Sequence, residues 1–329
     1  MFTIILSLED DNIWNSYFKS QFTEVETKYC QNCNLSAGQG QYYLDECNFY
    51  DDHDQVVNFN PISNTLLLHN RCSFSNCTSE ESGSCIYYQI GSNSSIVQRK
   101  FCCTKCQCQS EQGAHFSYTY VDTDNLNFFI ESSLFLVGKE SFGLSIEAKR
   151  DNIIVSSTNF SSCKASLGPA GFLKSPNVNY TTKYNYTTVV NNLATSEMIL
   201  DIWYNSLIDS CNIINNTIAT SRNGIIYHQI NYLTVKSCSF INNTVPQGSY
   251  LIEDNGQLTV DSCYIDNSIS TTFLSNVVPK NTRELFTNKL IHLSTGNCQA
   301  EFAIINKSIS EVNRLPIIII SLVNIKRST

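Results

Sequence analysis

The strongest constraint on this chain is that it repeats itself. Residues 207–217 read Leu-Ile-Asp-Ser-Cys-Asn-Ile-Ile-Asn-Asn-Thr, residues 233–244 read Leu-Thr-Val-Lys-Ser-Cys-Ser-Phe-Ile-Asn-Asn-Thr, and residues 258–268 read Leu-Thr-Val-Asp-Ser-Cys-Tyr-Ile-Asp-Asn-Ser. Their cysteines, Cys211, Cys238 and Cys263, stand 27 and 25 residues apart. Weaker copies surround Cys47, Cys72 and Cys163. Between copies lies a second element, a Gly leading a short apolar strand, as in residues 83–90, 224–230 and 248–253. A unit of this length cannot bury its own inner face, whereas stacking one copy on the next builds a continuous core.

Side-chain alternation supports stacked strands. Leu258 and Val260 point one way, and Thr259 and Asp261 the other. Ser262-Cys263 then shifts the parity, as a corner does. Asn-Asn closes the turn, because Asn tolerates the left-handed conformation and bonds its own backbone. Leucine-rich repeats need more Leu, ankyrin and TPR units need helical periodicity, and a sandwich lacks a recurring corner. The expected fold is all-β: a single-stranded right-handed parallel β-helix of roughly eight to eleven coils. Its structural columns are Cys211, Cys238 and Cys263, and Asn216, Asn243 and Asn267.

Composition agrees. Charged residues are only 15% of the chain, and polarity comes from 41 Ser, 37 Asn and 25 Thr. Hydrophobic residues at 42% suffice for a core. A net charge of −8 argues against nucleic acid as a partner, since phosphate binding needs clustered Lys and Arg. Fifteen cysteines are many for a reducing compartment, and an odd number leaves at least one free or paired with another molecule. An extracellular or cell-surface location is expected. Sequons within the repeats at Asn159, Asn215 and Asn242 are the expected glycosylation positions if the chain is secreted.

The chain divides into an N-terminal cap and first coil (1–40), a β-helix (41–310) and a terminal strand or truncated membrane anchor (311–329). Residues 1–8 read as a buried first strand, with a remnant signal as the alternative. The apolar run 315–323 reaches about 14 Å as a helix, half of the roughly 30 Å hydrocarbon core. An incomplete anchor of this kind is the sole membrane link expected. Residues 181–188, with Tyr180, Tyr184 and Tyr186, read as a loop or edge strand, and 271–329 as final coils or cap.

Phe240-Ile241-Asn242-Asn243 and its variants at 213–216 and 264–267, alternating with Gly83-Ser84-Cys85-Ile86 and Asn223-Gly224-Ile225-Ile226, carry a resemblance. The pattern resembles the Phe-x-x-Asn and Gly-Gly-Ala-Ile repeats of the chlamydial polymorphic outer-membrane family. It is also similar to β-helix surface proteins of parasitic protists, on the pectate-lyase-like fold. The Gly-Gly pair is never intact. The resemblance implies architecture and surface display, and no chemistry.

Several groups invite a chemical reading. Cys30-x-x-Cys33 and Cys103-x-x-Cys106, with Cys102 and Cys108 adjacent, have zinc-like spacing. The preferred reading is a column of small buried residues at the corner shared with Cys47, Cys72, Cys211, Cys238 and Cys263, with some local disulfides. No metal or cofactor is assigned. Asp51-Asp52-His53-Asp54 is the densest acidic group, but adjacent acids cannot share one strand face, so it reads as a solvated turn, as do Glu9-Asp10-Asp11 and Asp122-x-Asp124. Pectinolytic hydrolases carry Gly-His-Gly, which is missing, and the five histidines are dispersed. No catalytic residue is assigned. Tyr87, Tyr88, Tyr118 and Tyr120 are candidates for stacking on sugars or partners. The expected function is a non-catalytic adhesion or interaction rod whose partner is a surface protein or glycan. A polysaccharide lyase or glycoside hydrolase is the rival, marked by carboxylates converging on one groove. A truncated, non-functional member of a larger surface-protein family is the third reading.

Overall fold

The computed structural model describes residues 8–18, 25–28, 35–37, 39–60, 64–81, 83–91, 93–108, 115–119, 126–138, 142–148, 152–175, 179, 181–220, 223–266, 277 and 279–290. The chain winds as a parallel β-solenoid. Three long sheets of ten, nine and nine strands run along it, all in parallel register, with two- and three-stranded sheets at one corner. Each coil gives one strand to the first, second and third long sheet in turn. That order recurs eight times between strand Gly40–Asp45 and strand Ile252–Asp254.

Two left-handed residues per coil make the corners. The first corner column holds Glu46, Arg71, Lys100, Glu131, Ser157, Tyr186, Ser210, Ser237 and Ser262, with φ between 50° and 56°. The second holds Asp51, Asn76, Lys105, Leu136, Ser162, Asn191, Asn215 and Asn242, with φ between 51° and 57°. The Ser of the Ser-Cys repeat is thus the left-handed residue, and the Cys after it turns inward. Backbone N–H groups leave each coil for the next: Ser73 donates to Cys47 O at 2.9 Å, and Ser239 to Cys211 O at 2.9 Å. In-register pairing then stacks like positions. Phe49, Phe74, Cys103, Leu134, Phe160, Val189, Ile213 and Phe240 form one inner column of the second sheet.

Side chains link successive coils at both corners. Cys211 N donates to Cys238 Sγ at 3.4 Å, and Cys238 N to Cys263 Sγ at 3.4 Å; all three are free, buried thiols. The amide ladder runs through Asn192, Asn216 and Asn243. Asn192 Nδ2 donates to Asn216 Oδ1 and Asn216 Nδ2 to Asn243 Oδ1, each at 3.0 Å. Asn216 Nδ2 also donates to Val189 O at 2.9 Å, so one side chain links three coils. Asn267 lies outside the described residues.

Other expectations need correction. Glu9-Asp10-Asp11 lie within the helix Leu8–Phe18 rather than a turn. This helix lays Trp14 against Tyr43, Leu68 and Val97 on the outer face of the first sheet, and its lack of a clear apolar stripe hid it. Residues 181–188 hold two central strands, Thr182–Asn185 and Thr188–Val190, and Tyr184 is core. The Cys102–Cys108 group is not in the first cysteine column. Cys102 pairs with Ser73, which puts Phe101 in that column and Cys103 in the phenylalanine column. Asn159 is fully buried with Nδ2 donating to Ser161 Oγ at 3.2 Å, so its sequon cannot accept a glycan in the folded chain. Asn215 and Asn242 stand exposed at the second corner. Residues 1–7, Cys30, Cys33, Tyr120, Asp122, Asp124 and 291–329 lie outside the described residues.

Asn216 is the test of the ladder. Asn216→Ala strands buried donors and acceptors on both neighbouring coils and is expected to cost about 3 kcal/mol. Urea unfolding of the variant checks this.

Candidate functional site

The outer face of the third sheet gathers the chain's functional groups. In strands Gly171–Lys174, Leu200–Ile202, Ile226–His228 and Ile252–Asp254 the aliphatic residues alternate inward. Phe172, Asp201, Tyr227 and Glu253 are then register neighbours on the outside. Beside them, Glu147 pairs with Lys174, and Trp203 follows strand Leu200–Ile202. Phe142 and Phe172 rings lie 4.6 Å apart, Phe172 meets Trp203 edge-on at 6.2 Å, and Trp203 meets Tyr204 at 6.3 Å. Lys174 Nζ sits 4.8 Å over the Trp203 ring. The four aromatic side chains are half-buried.

Carboxyl groups border this run. Asp201 is 5% exposed, and its Oδ1 is buried without a hydrogen-bond partner. Burial raises its pKa to about 7; the Trp203 indole opposes this, the Glu197 carboxylate adds to it, and Lys174 opposes it. Burial also raises Glu147, opposed by Lys174, and raises Glu253. Asn223 Nδ2 donates to Glu197 Oε2 at 3.3 Å, and Asn255 Nδ2 to the Tyr227 hydroxyl at 3.2 Å. The face thus offers flat apolar rings beside hydroxyl, amide, ammonium and carboxyl groups. That combination suits a sugar, whose C–H faces stack on rings and whose hydroxyls both donate and accept.

The residues singled out from sequence fare unevenly. Tyr87 faces outward on the same sheet, its hydroxyl donating to Gln89 Oε1 at 2.6 Å, but Tyr88 is buried in the core. Tyr118 lies on strand His115–Thr119 of the same sheet. The acidic turn does not converge. Asp51 accepts from Asn76 Nδ2 at 2.7 Å, His53 meets Thr78 Oγ1 at 3.0 Å, and Asp54 caps Gln55 N at 2.7 Å. Sequence reading missed Phe172, Asp201 and Trp203. No local motif in the sequence marks these three positions.

A groove of about 720 Å³ opens near the second corner, lined by Lys105, Lys164, Asn76, Gln107, Ser162 and Thr195 among others. Among the described residues no carboxyl group lines it. Inside the solenoid, His228 pairs with Asp254. Nδ1 is 2.5 Å from Asp254 Oδ1, and Nε2 is 2.6 Å from Tyr204 O. A carbonyl only accepts, so Nε2 donates in that contact. Their register, one coil apart, follows from pairing Ile226 with Ile252.

Comparison with known proteins adds nothing to this geometry: no family model, no curated protein and no solved structure matches the chain.

Asp201 predicts a pH dependence. Its folded pKa lies above that of a free carboxyl, so the folded state holds the proton more tightly than the unfolded chain. Nothing is lost below about pH 4, stability falls as pH rises from about 4 to 7, and the loss persists above. Asp201→Asn removes that slope. The variant is expected to be more stable than the parent by about 3–4 kcal/mol at pH 8 and equal to it near pH 4, read from urea midpoints across the range.

Proposed function

We propose that the chain is a non-catalytic interaction rod, displayed at a cell surface or secreted, that binds an uncharged glycan along the outer face of its third sheet. The carrying observation is the continuous aromatic run Phe142–Phe172–Trp203 with Asp201, Lys174 and Tyr227 at its edge. The charge of the face selects the ligand class. The carboxyl groups of Glu147, Glu197 and Glu253 disfavour a polyuronide, whereas neutral hydroxyls find partners in both protonation states of the face. The repeat's resemblance to surface β-helix families supports the surface location. Among the described residues no helix is long and apolar enough to cross a membrane.

Asp201 supports a second reading, a polysaccharide-active enzyme. A carboxyl with pKa about 7 keeps its proton near neutrality, as a general acid must, and Glu253 stands two strands away on the same face.

Binding to a panel of neutral and acidic oligosaccharides, measured by calorimetry, separates these. Trp203→Ala is expected to weaken neutral-glycan binding about tenfold, through lost ring stacking. Tyr232→Ala, an exposed tyrosine on the first sheet, is expected to leave it unchanged. Release of reducing ends decides for the enzyme. Failure of every neutral glycan to bind removes the basis of the first reading.

A further inference from the structure

Four cysteines from two adjacent coils meet inside the solenoid. Cys85 precedes strand Ile86–Ile90 of the third sheet, and Cys103 lies in strand Cys102–Thr104 of the second. Cys77 and Cys106 each precede the short corner strands Thr78–Ser79 and Gln107–Cys108, which pair in register. All four are free, buried thiols. The sulfurs of Cys85, Cys103 and Cys106 lie within 4.8 Å of one another, with Cys85 and Cys103 at 3.2 Å. Cys77 is the register neighbour of Cys106 on the coil beside it.

We propose that Cys77, Cys85, Cys103 and Cys106 form a buried four-sulfur site for zinc or a similar thiophilic divalent cation. Zn–S bonds of about 2.3 Å arranged tetrahedrally place the sulfurs about 3.8 Å apart, the scale of this cluster. The sulfurs of Cys85, Cys103 and Cys106 all lie within 4.8 Å of one another, so a disulfide between any two leaves the third over, whereas one central ion takes all three. Binding replaces four S–H protons by one divalent cation and releases up to four protons to solvent. A coordinated cation holds its sulfur ligands as thiolates. The site lies inside the core, so the ion enters as the coils close and links the two coils when bound. This inference is independent of the glycan-binding reading.

The test is elemental analysis of the full chain purified without chelator, followed by exchange of the bound ion for Co²⁺. The expected result is about one zinc per chain, and a cobalt form with the intense thiolate charge-transfer and tetrahedral ligand-field bands of sulfur ligation. Cys106→Ser is expected to lose both. Cys163→Ser, at an isolated buried thiol farther along the same corner column, is expected to keep both. Absence of zinc, with mass spectrometry showing disulfides or four metal-free thiols, overturns the proposal. So does zinc retained undiminished in Cys106→Ser. If that variant fails to fold, alkylation of the parent with and without chelator decides. Zinc-dependent protection of these four thiols supports the site, and protection of other cysteines instead refutes it.

Discussion

Every feature of this molecule descends from one constraint: a coil's backbone hydrogen bonds must be made with the coils on either side. A strand of three residues gains too little from its own coil to persist, and paired in register on both faces it becomes a rung of a long sheet. Register then governs content. A residue and its counterpart one coil on share an environment, so a polar group turned inward needs either a polar neighbour along the axis or a backbone partner. Asn192, Asn216 and Asn243 meet this demand: each donates to a carbonyl of the preceding coil, and Asn192 and Asn216 also bond the next amide along the axis. The cost of the arrangement sits at the corners. Two left-handed residues per coil, most of them neither Gly nor Asn, are strained positions held only because the stacked sheets on either side leave no other path.

This explains which parts of the structure were legible in the sequence. The Ser-Cys and Asn-Asn pairs are the corners, and they recur because corners admit few residue types. The segments 207–217, 233–244 and 258–268 therefore gave the parallel solenoid directly. Inner strand positions tolerate any apolar residue of suitable size, so Phe74, Cys103, Leu134 and Val189 occupy one column with no shared letter. That freedom blurred the repeats between 84 and 200, hid the central strands near Tyr184, and misplaced Cys102 and Cys103 by a register step. The helix Leu8–Phe18 was invisible for a different reason. It covers an apolar patch made by Tyr43, Leu68 and Val97 on a sheet face the repeat pattern marks as polar.

The candidate site was the least legible part, since it depends on lateral neighbours from coils about 26 residues apart. Phe172, Asp201 and Tyr227 share no local motif. They meet because Gly171, Leu200 and Ile226 occupy one inner column and carry the next residue outward together. Asp201 also breaks the rule that outer positions are solvated. Phe172 and Tyr227 flank it along the sheet, and the resulting burial holds its proton. The same departure occurs inside, where His228 and Asp254 interrupt an aliphatic column and pair with each other through Nδ1 and Oδ1.

The second-corner column shows how one position can be locked by two chemistries. In the later coils it holds Asn192, Asn216 and Asn243, whose amides tie successive coils. In the earlier coils the same position is Cys77 and Cys106, then Val137 and Cys163. A thiol is a weak donor and a weak acceptor, so it cannot reproduce the amide ladder. Cys77 and Cys106 thus surrender the axial link that Asn gives three coils later, and no polar replacement appears in the column. What appears instead is Cys85 from the third sheet and Cys103 from the second, converging on the same point. A cation bound by the four sulfurs restores the missing link with bonds stronger than those of the ladder. The early coils then depend on metal for what the later coils obtain from asparagine, and the solenoid has two locks of different origin along one corner.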